Sequence, residues 1–196
     1  MKKLAFLFIM IGIVLLSIGG YQYFNIQAAE QQAANEANKR LEDSKNQTKD
    51  SSSHQRTIEN FSPNTGDAVG FLHIPAIEAE LPIIEGTDPE ELEKGVGHYD
   101  TSAYPTENDQ IVMSGHRDTV FRSLGEVEVG DTFMVELPYG NFEYEMVDSK
   151  IVDADDTSII QSTAPKEELV ITTCYPFSYI GNAPERYIIY AKPIYE

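Results

Sequence analysis

The sequence predicts a mostly β domain, a single closed or nearly closed barrel or sandwich, carried behind an N-terminal membrane helix. Three observations predict it: an apolar run at the start, a polar stretch that cannot build a core, and then a long series of short β-rich runs separated by Gly, Pro, Asn and Asp. At 196 residues the chain has room for one globular domain of ordinary size plus an anchor, and hardly for two.

Lys2 and Lys3 precede an apolar run from Leu4 to Gly20, which Tyr21, Tyr23 and Phe24 extend to 21 residues. That is long enough to cross a bilayer as a helix. A cleaved signal peptide has a shorter apolar region and small residues at alternate positions before its cut. Here the exit is aromatic, which suits the membrane interface. Residues 1–26 are therefore expected to be an uncleaved single-pass anchor, lysines inside and the rest of the chain extracytoplasmic.

Residues 27–60 are rich in Ala, Gln, Asn, Glu, Lys and Ser and read as a polar linker. Its first half, Gln27 to Lys45, is made of good helix formers and can continue the anchor, whereas Asp50-Ser51-Ser52-Ser53 reads as a spacer. Reach is the expected role, holding the β-rich domain, residues 61–196, off the membrane, and a degenerate linker with no defined length requirement fits the composition equally.

In that domain the candidate strands are Ala68 to Ile74, Leu81 to Glu85, Gln110 to Ser114, Thr132 to Leu137, Phe142 to Val152, Leu169 to Thr173 and Arg186 to Ala191. Pro138-Tyr139-Gly140-Asn141 marks a hairpin turn. Asp88-Pro89-Glu90-Glu91 opens a short helix, with Asp88 as N-cap and Glu91 as its capping-box partner. A second helical turn is expected over Val120 to Leu124.

The first sixty residues carry seven Lys/Arg and six Asp/Glu; the rest carry seven against 26. A domain this acidic repels phosphate backbones, which argues against a nucleic-acid partner. No cofactor is expected: calcium suits an acidic domain, but no compact ligand run such as an EF-hand loop is present.

Cys174, the single cysteine, closes a probable strand before Tyr175-Pro176-Phe177, where proline prevents regular continuation. Taken alone it reads first as a buried structural thiol. His116 also follows a probable strand, in the polar turn Ser114-Gly115-His116-Arg117-Asp118. A catalytic thiol needs such an imidazole to take its proton and later to protonate the leaving amine. His54 lies in the spacer and His73 inside a strand, so His98, in Gly95-Val96-Gly97-His98-Tyr99, is the competitor. Arg186 starts the last strong strand. Its planar fork could steady an oxyanion, or it could be a surface residue paired with Glu185.

The segments Ser114-Gly115-His116-Arg117-Asp118, Thr172-Thr173-Cys174-Tyr175-Pro176-Phe177 and Gly181-Asn182-Ala183-Pro184-Glu185-Arg186-Tyr187 resemble the histidine, cysteine and arginine motifs of sortases, in that order, over residues 68 to 193. The likeness is greatest to class D. One departure is that Val170 and Ile171 stand where the family's cysteine strand commonly has Thr-Leu. The resemblance implies an eight-stranded sortase β-barrel and a cysteine transpeptidase that cleaves an LPxTG-like sorting signal after Thr. It implies Cys174 as nucleophile, His116 as acid and base, and Arg186 on the oxyanion or substrate backbone. Its partners would be surface proteins bearing the signal and an amine of the cell-wall precursor. Thr173 and His98 are expected as substrate contacts. Two alternatives stand beside this reading: an extracytoplasmic cysteine peptidase, and a non-catalytic surface β-domain.

Overall fold

The computed structural model describes residues 2–50, 61–178 and 181–194. One helix, α1, runs from Lys2 to Asp50. The barrel follows: β1 (Ala68–Ile74), β2 (Ala79–Glu85), the short helix α2 (Pro89–Leu92), β3 (Val96–His98), β4 (Gln110–Gly115), β5 (Thr132–Leu137), β6 (Gly140–Asp153), β7 (Glu168–Tyr175) and β8 (Glu185–Pro193). The eight strands close in the order β1-β2-β3-β4-β7-β8-β6-β5. Seven strands fall on the expected runs. The eighth, β3, is three residues long and too short to show an alternating pattern.

Period-two alternation builds the interior. In β5, Thr-Phe-Met-Val-Glu-Leu buries every second side chain. Phe133, Val135, Leu137 and Tyr144 join Leu72, Ile83, Val96, Ile111, Met113, Leu169, Ile171 and Ile189 in one central core. Strands β4, β7 and β8 are apolar on the other face too, because Val112, Val170 and Ile188 pack outside the barrel with Ile159 of the β6–β7 connection and with Tyr99, Val152 and Tyr190. Buried Gln110 pins that connection: its amide donates to Ile159 O at 3.0 Å and accepts from Gln161 N at 3.0 Å. The hairpin turn is Pro138-Tyr139, with Leu137 facing Gly140.

Two local expectations change. Asp88 does precede α2, with Pro89 at its first turn, but makes no side-chain cap bond; Glu91 is buried instead of reaching back. The helical turn expected from Val120 appears as a short 3₁₀ turn over Leu124–Glu126.

The polar continuation of α1 is helical to Asp50; Ser51–Ser53 of the expected spacer lie outside the described residues. It also does more than span distance. Ala33, Ala37 and Leu41, one face at four-residue spacing, pack on Ala68, Phe71 and Ile84 of β1 and β2. Arg40 pairs with Asp67 at 3.2 Å, Lys45 with Glu136 at 3.2 Å, and Ser44 donates to Pro138 O. Nearer the N-terminus, the large apolar side chains from Phe6 to Phe24 are exposed, an arrangement suited to lipid and not to water.

Candidate active site

Cys174 lies one residue from the end of β7, directly opposite Arg186 of β8 in an antiparallel pair. Side chains so opposed have Cβ atoms about 4.5–5.5 Å apart. On its other flank β7 runs parallel to β4, and the last paired residues are Gly115 and Thr173. One step beyond that pair are His116 and Cys174. Alternation then decides the face. Leu169 and Ile171 point into the central core, so Val170, Thr172 and Cys174 point outward; Val112 and Ser114 share that side, as do Ile188 and Arg186. Cys174 and Arg186 therefore stand on one outer face with an apolar floor, and His116 follows the end of the adjacent strand β4. All three side chains are partly buried.

Local contacts hold each of them. A Cβ on Gly115 would lie 2.6 Å from the Phe121 ring, so only glycine fits before His116. The amide of Phe121 donates to His116 O at 3.0 Å and closes the turn. After Cys174, the rings of Tyr175, Phe177 and Tyr187 pack edge to face or tilted, with centroids 5.4–6.3 Å apart. Arg186 is not paired with the Glu185 carboxylate; its Nη1 donates to the backbone carbonyls of Glu185 at 3.0 Å and Ala183 at 3.4 Å.

The sortase domain family matches residues 72–194, nearly all of the barrel. The chain belongs to the sortase family. It is 54% identical to Sortase D of Bacillus subtilis (strain 168) over 199 residues, 99% of this chain and 100% of that protein. Among solved structures it resembles the catalytic domain of B. anthracis SrtD at 39% identity and a TM-score of 0.58, covering 73% of this chain and 97% of that one. A Clostridium perfringens Sortase D5 transpeptidase shares the fold, with a TM-score of 0.69 at 24% identity, over 85% of this chain and 99% of that one. Sortases are cysteine transpeptidases that anchor proteins to the cell wall, and this chain is such an enzyme.

Two residues expected at the substrate are placed elsewhere in this sortase barrel. Thr173 follows the inward alternation of Leu169 and Ile171. It is 2% exposed and its hydroxyl donates to Gly115 O at 2.7 Å, so it straps β7 to β4 from inside. His98 is fully buried and lies on the inner face with Val96, away from the outer face of Cys174. Its Nδ1 is 2.9 Å from Glu85 Oε2 and its Nε2 is 3.0 Å from Ala103 O and 3.2 Å from Ser102 Oγ. Ser102 commits its own proton to Tyr99 O at 2.7 Å, so Nε2 is the donor there. Tyr104 stacks on the His98 ring at 3.8 Å and donates its hydroxyl to the same Glu85 oxygen. Burial, and then the Glu85 contact, push the Tyr104 phenol far above its usual range.

Sequence reading missed this interior network because Glu85, His98 and Tyr104 look like surface polar residues one at a time. The signal that could have found it is the inward parity of Glu85 with Ile83 and of His98 with Val96. Among the described residues no group of three or more His, Cys, Asp or Glu is placed to hold a metal ion.

Proposed function

We propose that Cys174 is the nucleophile, His116 the acid and base, and Arg186 the cation that steadies the oxyanion or the substrate backbone. The observation that supports this best is the register: Cys174 opposite Arg186, with His116 one step past the Gly115–Thr173 pair. The Cys174 sulfur forms a bond to the carbonyl carbon of threonine in an LPxTG-like signal. The threonine–glycine C–N bond breaks, and the leaving amine takes its proton from His116. A wall-precursor amine then attacks the thioester, gives its proton to His116 and expels the thiolate. Each group required comes from the chain, so the reaction as written calls for no metal or organic cofactor. Clients are surface proteins carrying the signal, and the barrel works outside the membrane while α1 crosses it once, with Lys2 and Lys3 inside.

The experiment is to supply an LPxTG-like peptide with and without hydroxylamine. A hydroxamate ending at threonine is expected with amine, slow turnover without it, and neither from the Cys174→Ala protein. Equal hydrolysis in both conditions with no amine-linked product refutes transfer by this site. Protease added to intact protoplasts should remove the barrel, and a barrel that resists until lysis refutes the topology.

A further inference from the structure

Arg117 follows His116 and has no part in the steps written above. Its Nη2 donates to the carbonyl of Gly181, 2.9 Å away and 64 residues along the chain. Gly181 belongs to the β7–β8 connection, whose far end holds Arg186 through the carbonyls of Ala183 and Glu185. Carbonyls of one loop thus receive two guanidinium groups, one from the turn that carries His116 and one from the start of β8. No ladder bond makes this link, because β7 stands between β4 and β8 in the barrel. The contact crosses the end of β7, where Cys174 sits.

Both sides of the contact are shaped for it. Gly181 has φ of +104° while a Cβ there would meet nothing within 4 Å, so glycine serves the backbone path and not a lack of space. The His116 turn is closed on its barrel side by Phe121, through the amide bond to His116 O and the ring against Gly115. On its other side the contact to Gly181 ties it to the loop.

We propose that Arg117 is a positioning residue for the sortase reaction: by tying the His116 turn to the β7–β8 loop, it sets where His116 and Arg186 stand about Cys174. The proposal rests on the reading of those three as the reacting set. The described contact of Arg117 is to Gly181 O and not to a reacting atom. Proton transfer and oxyanion stabilisation are both steep in distance, and misplacement by about 1 Å can cost about 100-fold in rate. A residue that only held substrate would change KM instead, and one that only held the fold would change the folded fraction.

The test measures kcat and KM of the full chain in detergent for hydroxamate formation, in Arg117→Ala, Arg117→Lys, Gly181→Ala and the Arg117→Ala/Gly181→Ala double variant, with circular dichroism at the assay temperature. Arg117→Ala should lose about tenfold or more in kcat with KM within about threefold of the parent. Lysine can still donate to the carbonyl, so Arg117→Lys should recover kcat to within about threefold. Alanine at 181 keeps the carbonyl but strains the φ +104° path that presents it, so both changes act on the same link and the double variant should be no slower than the slower single one by more than about threefold. Parental kcat in Arg117→Ala, losses that multiply in the double variant, a lysine variant as slow as alanine, or a loss that tracks unfolded protein each overturn the proposal. If the parent forms no acyl-enzyme at all, the reading of Cys174 fails; if it does and Arg117→Ala keeps its kcat, the positioning role alone fails.

Discussion

Replacing His98 by Ala should damage stability and spare substrate binding. The imidazole is fully buried, bonds Glu85 at 2.9 Å and Ala103 O at 3.0 Å, and stacks on Tyr104 at 3.8 Å. Its removal opens a cavity and leaves the carboxylate of Glu85, 7% exposed, with the Tyr104 hydroxyl as its remaining partner among the described residues. Leaving buried hydrogen-bond partners unsatisfied costs about 1–3 kcal/mol and the cavity adds to it, so the loss should be about 3 kcal/mol. A domain of this size loses about 2–4 °C in Tm per kcal/mol, so the expected fall is about 6–12 °C. The assay is a thermal melt followed by circular dichroism, paired with the peptide KM at a temperature where the variant is fully folded. KM should stay within about twofold of the parent. A Tm within about 2 °C of the parent together with a KM about tenfold higher would refute the reasoning and put His98 back at the substrate.

Two further perturbations probe other contacts. Leu41→Asp puts a charge where Leu41, 5% exposed, packs with Phe71 and Ile84; at about 2 kcal/mol for the lost Leu burial alone, α1 should undock. Tryptic cutting after Lys39 and Arg40 should then quicken more than about tenfold, and an unchanged rate would mean that the helix face carries no docking energy. Asp109 is held below the usual carboxylate range, first by the Gln110 amide and then by Ser162, Thr163 and Ala164. A depressed pKa means that the tether is complete at neutral pH and is lost as pH falls below about 4. Hydrogen-exchange protection of the Thr163 and Ala164 amides should drop over that range, and should be low and pH-independent in Asp109→Ala; protection that survives acid would refute the tether.

Much of the fold was legible because a barrel strand writes its own pattern. Ala68–Ile74 and Thr132–Leu137 begin and end where the sequence places them, since Gly, Pro and polar turns bound runs of β-formers. The docking of α1 was not legible. Ala33, Ala37 and Leu41 are two alanines and one leucine among polar residues, too weak a stripe to call a buried face, and their worth depends on Phe71 and Ile84 arriving from far along the chain. Composition described a tether; tertiary contact makes the same residues a docked helix.

The site divides in the same way. Cys174, His116 and Arg186, the set proposed to react, were each read at a strand end beside a turn, because strand ends are where side chains can leave the ladder and meet substrate. Which other polar residues belong with them depends on parity, and parity is known only once the register is fixed. Thr173 is adjacent to Cys174 in sequence, yet one residue along a strand reverses the face, so its hydroxyl serves Gly115 inside the barrel while the thiol stands outside. His98 is caught by the same rule, on the inner side with Val96. Arg117 is the converse case: it lies past the end of β4, where alternation no longer binds it, and reaches Gly181 across the end of β7. Proximity in sequence to a proposed nucleophile is thus a poor guide within a strand and a better one beyond its end.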